Sequence, residues 1–204
     1  DTNEHNTIDS INNVHINGVN NGTNGLLTPP TLECDFAIIC NEGSQQPLAS
    51  SVKDLIIDIA QKTPVVGSLG NIETEGKVCI VLSELDEPVI STLNEVGFQA
   101  VQKMLAGAAG VLWTIRGAYT DSTNPDAEMV IGMARSIRSE TLLKFATLDL
   151  GTSPELSNTG AAEKIVEVLK TTFSSDSPTV GANMEFQERN GDLLVPRVVE
   201  DADM

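Results

Sequence analysis

The sequence predicts an α/β fold, a parallel sheet covered by helices. Three observations lead there. Short aliphatic runs alternate with stretches whose apolar residues recur at helical spacing. Aromatic residues make up only 3% of the chain against 40% hydrophobic residues, so the core has to be aliphatic and Ala-rich. Near the end, Asn190-Gly191 separates two strand-like runs, the strongest short-range signal for a hairpin. A length of 204 residues suits one domain, with or without a tail, and can bury a core of useful size.

Residues 1–31 read as a flexible linker. Eight of the first 25 residues are Asn, no Lys or Arg precedes Lys53, and Gly18, Gly22, Gly25, Pro29 and Pro30 punctuate the stretch. Such a composition buries too little apolar surface to offset the entropy of ordering. Ile8, Ile11, Val14 and Ile16 leave a docking segment as a second reading. The body is expected over 32–201, with 202–204 opening a further linker.

Within the body, Cys34–Cys40 is a buried strand by its apolar run. Residues 49–62 place Val52, Leu55, Ile56 and Ile59 on one helical face, and Pro64 is expected to stop that helix. Val78–Leu82 is a second strand, 89–106 a second helix and Gly110–Arg116 a third strand. Asn124-Pro125-Asp126 opens a third helix, with Asn as the cap, Pro in the first turn and an acid beside it, running to about Glu140. Leu143–Leu150 is a fourth strand, 160–173 a fourth helix, and 184–189 with 192–199 the hairpin. Regular alternation of this kind builds parallel βαβ units, a Rossmann-like class that by itself says nothing about ligand.

Charge and composition exclude several functions. Twelve basic against 29 acidic residues give a net charge of −17 and a pI near 4.2. That surface repels phosphate backbones and anionic lipid, so neither nucleic acid nor membrane is an expected partner. The longest strongly apolar uncharged stretch, 104–115, is 12 residues, against roughly 20 for a membrane span. No basic segment opens the chain, which removes a secretory signal, and the Asp1 start suggests a piece of something longer. Cys34, Cys40 and Cys79 form no close pattern, so reduced thiols and a cytoplasmic setting are expected. On one strand, Cys34 and Cys40 would sit about 20 Å apart, too far to pair.

The chemistry the residues permit is narrow. His5 and His15 both lie in the linker, which disfavours a Ser-His-Asp, Cys-His or zinc-histidine site. A dinucleotide site needs glycines directly after its first strand. Here Asn41-Glu42-Gly43-Ser44-Gln45-Gln46-Pro47 holds one glycine and an acid, and Ser83-Glu84-Leu85-Asp86-Glu87-Pro88 holds three acids and no glycine. Gly67-Ser68-Leu69-Gly70 and Gly107-Ala108-Ala109-Gly110 lack the full spacing; the second reads as close packing at a helix end. Reductases of the short-chain type use a Tyr with a Lys four residues on, and the single tyrosine, Tyr119, is followed at that position by Thr123. Arg135 and Arg138 share a helix face, as an anion clamp or as salt bridges to Glu128, Glu140 or Asp149. Trp113 reads as core or interface.

Several segments resemble one family. Leu112-Trp113-Thr114-Ile115-Arg116-Gly117-Ala118, the helix Gly132-Met133-Ala134-Arg135-Ser136-Ile137-Arg138-Ser139-Glu140, the strand Thr147-Leu148-Asp149-Leu150, and the hairpin from Glu185 through Asn190-Gly191 to Val195-Pro196-Arg197 are similar to the pseudo-ketoreductase of fungal-type highly reducing iterative polyketide synthases. The clear match covers about 112–201. The resemblance implies a truncated Rossmann-like sheet with flanking helices and a C-terminal β-hairpin, with no catalytic residue, cofactor or metal of its own. It implies a structural domain within a multifunctional synthase; the alternatives are a stand-alone NADP-dependent reductase with a degenerate loop and a free-standing binding module. Partners would be the catalytic ketoreductase and a neighbouring enoyl reductase or methyltransferase of the same chain. NADPH, S-adenosylmethionine and phosphopantetheine would be bound only by other domains. The structural or interface candidates are Trp113, Arg116, Arg135, Arg138, Glu140, Asp149, Phe186, Pro196 and Arg197, with the Trp113 strand and the hairpin expected to carry the contact.

Overall fold

The computed structural model describes residues 14–15, 32–119, 124–151, 156–177 and 182–197. Val14–His15 form a two-residue strand, β1, paired antiparallel to the last strand of the sheet. The remainder of 1–31 and residues 198–204 lie outside the described residues, and with them most of the expected linkers.

The body begins with β2 (Asp35–Ile39), buried at all four residues after Asp35. Its apolar run is continuous because both faces of a parallel strand are covered. Helix α1 (Gln46–Ala60) starts three residues before the expected position, with Pro47 in its first turn. It ends before Pro64 is reached: Gln61 turns left-handed (φ 54°) and donates its N–H to the Ile57 carbonyl. A short strand that the pattern missed, β3 (Val65–Gly67), follows and pairs parallel to β2. Three residues, two of them exposed, leave too little periodicity to read.

Next come β4 (Lys77–Val81), 3-10 turns at Ser83–Leu85 and Ile90–Thr92, α2 (Glu95–Gly107) and β5 (Gly110–Arg116). The helix expected over 89–106 is therefore shorter at its start. Asn94 caps it, its side chain accepting from the Gly97 N–H. Helix α3 (Pro125–Glu140) begins where expected, but Asn124 makes no side-chain cap bond. Then follow β6 (Phe145–Leu150), α4 (Asn158–Phe173), β7 (Glu185–Arg189) and β8 (Asp192–Val195). Asn190 and Gly191 both take positive φ at the β7–β8 turn, as a tight hairpin requires.

The sheet order is β1-β8-β7-β6-β5-β4-β2-β3, parallel from β3 to β7 and antiparallel at β8 and β1. The fold is thus Rossmann-like, with a hairpin closing one side. Its first half is cut short: from β3 the chain returns to β4 through residues 68–76, which hold no helix.

Alternate residues feed two cores. Phe36, Ile38, Ile80, Leu112 and Leu148 pack under α1 and α4, while Ile39, Val81, Val111, Trp113 and Ile115 pack under α2 and α3. The connection from β6 to β7 advances in the same direction as those through α2 and α3, yet α4 lies on the opposite face. This crossover is of opposite hand to the others, against a strong general preference. The result is asymmetric: α1 and α4 pack against each other over one face, and α2 and α3 share the other.

Candidate functional site

An open parallel sheet binds ligands beyond the carboxyl ends of its strands, where the chain switches direction. Here that point lies between β2 and β4, under residues 40–45 and 82–86. The crevice is occupied by the protein's own side chains. Gln45 is almost fully buried; its Oε1 accepts the Asn41 N–H at 2.7 Å, and its Nε2 donates to the Ser83 carbonyl at 3.3 Å. Ser44 Oγ donates to the Asp86 carboxylate.

Glu84, only 3% exposed, stands beside this plug. Its Oε1 accepts the Val89 N–H at 3.0 Å and its Oε2 the Trp113 indole N–H at 3.3 Å. Burial pushes the carboxyl up to about 7, against those hydrogen bonds, and Asp126 adds to the rise. Gly43 is the lone glycine of the first turn. Its φ of +100° explains it, since a Cβ there would meet open space rather than a ligand cradle. A buried amide, two acids and no glycine-lined approach do not fit a dinucleotide pyrophosphate.

A second polar network ties α3 to the hairpin. Glu185, at the start of β7, accepts Arg135 Nε at 2.8 Å and Nη2 at 2.7 Å, Arg138 Nη2 at 2.5 Å and the Tyr119 hydroxyl at 2.8 Å. Burial alone would raise this carboxyl, but the Arg135 and Tyr119 hydrogen bonds, with Arg135's charge and Arg138 behind them, hold it at about 2. The arginine pair therefore grips Glu185, not the expected Glu128, Glu140 or Asp149. Glu185 was legible only as part of the hairpin motif, because no local spacing joins residues some fifty positions apart.

The other candidates fall into place around these two networks. Trp113 is fully buried and stacks on Phe145 with ring centroids 5.9 Å apart; Phe186 is fully buried under α4. Both therefore serve the core of this domain, the first of the two roles read for Trp113. Asp149 is buried and accepts the N–H groups of Ala118 and Tyr119 at 3.1 and 2.8 Å, and burial raises its carboxyl. Arg116 donates to the Gly151 carbonyl at 2.6 Å, tying β5 to the end of β6. Glu140 is exposed, Pro196 half-buried, and Arg197 donates to Asn183 Oδ1 at 2.8 Å. Thr123 lies outside the described residues, whereas Tyr119 is engaged with Glu185 and its hydroxyl proton is held by burial and that acid. Among the described residues, no cluster of three metal-ligating side chains forms and no helix is long and apolar enough to cross a membrane. All three cysteines are free thiols; burial pushes Cys79 up to about 12.

The surface holds one feature that the sequence patterns did not isolate. Between α2 and α3 runs an apolar cavity of about 490 Å³, lined by Ile90, Leu93, Phe98, Leu105, Met133 and Ile137. A second hollow of about 520 Å³ continues it past Leu142 and Leu143. Phe98 is 57% exposed, Met129 48%, and Leu142 is fully exposed. On the opposite face α1 and α4 pack against each other over a shared core.

With that geometry in place, comparison with known proteins identifies the family. The model of the HRPKS sdrA-like, NAD(P)-binding Rossmann-fold domain matches residues 52–199. The chain belongs to this family. It is 33% identical over 168 residues, 80% of its own length, to the highly reducing polyketide synthase tstA of Talaromyces stipitatus. It is 30% identical over 165 residues, again 80% of its length, to the squalestatin tetraketide synthase of a Phoma species. It is 33% identical over 133 residues, 61% of its length, to the highly reducing polyketide synthase sor1 of Hypocrea jecorina. The sdrA-like chain spans only 5–6% of the length of these relatives. The family's description includes NAD(P) binding, and the plugged crevice of this sdrA-like domain does not match that part of it.

Proposed function

We propose that this sdrA-like domain is a non-catalytic structural unit of a highly reducing polyketide synthase, docked against the catalytic ketoreductase half of the same longer chain. The observation that carries the reading is the open apolar face of α2 and α3. Phe98 and Leu142 line two hollows with exposed side chains that a partner surface would cover, and Met129 is exposed on α3. Apolar patches of this kind mark interaction sites on otherwise polar surfaces. The plugged switch-point crevice supports the second half of the reading, that the domain binds no NADPH. The contact is then carried by the two-helix face, in place of Trp113 and the hairpin.

The test has two arms. NADPH fluorescence titration of the 204-residue chain should give no saturable binding; micromolar affinity would overturn the cofactor half and restore a reductase. Mixing the chain with the catalytic ketoreductase domain of its own synthase should give a complex on size exclusion. Phe98→Asp should abolish that complex, and retention of it would remove the α2–α3 face from the reading.

A further inference from the structure

We propose that Glu84 is a protonation-controlled latch on one wall of the α2–α3 groove. This rests on the docking reading only for its consequence; the latch itself is a property of the domain alone. The wall is the segment between β4 and α2, which supplies Ile90 and Leu93 to the groove. Within that segment, the Glu84 side chain reaches forward to the Val89 N–H, with the Ile90 N–H adding to its hold, and across to the indole of Trp113 in β5. One carboxylate thus pins the start of the Ile90–Thr92 turn to the core of the sheet.

Its geometry has one chemical consequence. Both oxygens face N–H donors, so the ionised form, which only accepts, satisfies every bond. A proton on either oxygen meets the donor that oxygen was accepting from, and the charge-assisted bonds weaken. Yet burial disfavours the charge and moves the group to about 7, so both forms are reached near neutrality. From α3 the charged group facing it is Asp126, which opposes ionisation. β5 presents the Trp113 donor and the Ile90–Thr92 turn its N–H groups. On its own segment stand Asp86, bonded to Ser44, and Glu87. Among the described residues no cation offsets Glu84 in place of those donors.

The chain's single tryptophan reports on the latch directly. In nitrogen-15 correlation spectra of the 204-residue chain, followed from pH 8.5 to 5.5, the Trp113 indole proton and the Val89 and Ile90 amide protons should move upfield together with one midpoint. Glu84→Gln should flatten all three. An indole that titrates while Val89 and Ile90 stay fixed would overturn the latch, as would three resonances that do not titrate or that move downfield on acidification. The wild-type titration decides the matter even if the variant fails to fold. Loss of binding to the catalytic ketoreductase at every pH would instead defeat the docking reading and leave the titration standing.

Discussion

Glu185 accepts four hydrogen bonds from three side chains, and its removal is the clearest single-residue prediction. Three elements depend on it: α3 through Arg135 and Arg138, the β5 end through Tyr119, and β7 itself. Glu185→Gln leaves two guanidinium groups without their carboxylate. Arg135 is well exposed and rehydrates; Arg138, 21% exposed, does so less readily. The expected loss is roughly 2–3 kcal/mol, read from urea denaturation at pH 7. Trp113→Ala removes the largest fully buried side chain and one of the donors holding Glu84. It should cost about 3–5 kcal/mol, also by urea denaturation, and, on the proposed docking role, lower ketoreductase activity of the parent synthase through stability.

At the scale of elements, close approach and open surface make opposite predictions. Gly110 starts β5 directly beneath α4: a Cβ there would lie 2.4 Å from Phe173 Cε1 and 3.3 Å from the Lys144 carbonyl oxygen. Gly110→Ala forces the Phe173 ring aside and should cost about 1–2 kcal/mol by urea denaturation. Leu142, by contrast, touches little of its own domain. Leu142→Asp should leave the urea midpoint of the isolated chain unchanged within about 0.5 kcal/mol while weakening its complex with the catalytic ketoreductase, measured by calorimetry. A stabilised domain with unaltered binding would count against the open face as a docking surface. The hand of the β6–β7 crossover matters here, because placing α4 beside α1 closes one face of the sheet and leaves α2 and α3 as the exposed pair.

For the whole molecule the prediction is a stability maximum on the acid side of neutrality. Glu185 is lowered from 4.5 to about 2 on folding, so its contribution is present above 4.5 and is lost as pH falls toward 2. Glu84 is raised from 4.5 to about 7, so the folded chain binds more protons than the unfolded one between these values, and stability falls as pH rises through them. Buried Asp149 acts in the same direction as Glu84, and a net charge of −17 adds self-repulsion as carboxylates ionise. Urea midpoints between pH 3.5 and 8.5 should therefore peak at about pH 5, and Glu84→Gln should lessen the decline above it. A midpoint that climbs steadily to pH 8 would show that the Glu84 carboxyl is not raised on folding.

The sequence by itself determined the order and type of nearly every long element, the hairpin and the aliphatic core. Each rests on short-range physics: helical or continuous apolar spacing, Pro in a first turn, Asn-Gly at positive φ. It also showed that the turn after the first strand holds a single glycine, Gly43, beside an acid. Only the tertiary structure decided what stands in that place, because Gln45 meets Ser83, and Glu84 meets Trp113, through contacts between residues distant in sequence. The same holds for Glu185 and its arginines, and for β3, too short to carry a period. The open groove is likewise a tertiary fact. The stripes of α2 and α3 read as core-facing like any amphipathic helix, and only the placement of α4 on the opposite face reveals which part of them remains uncovered.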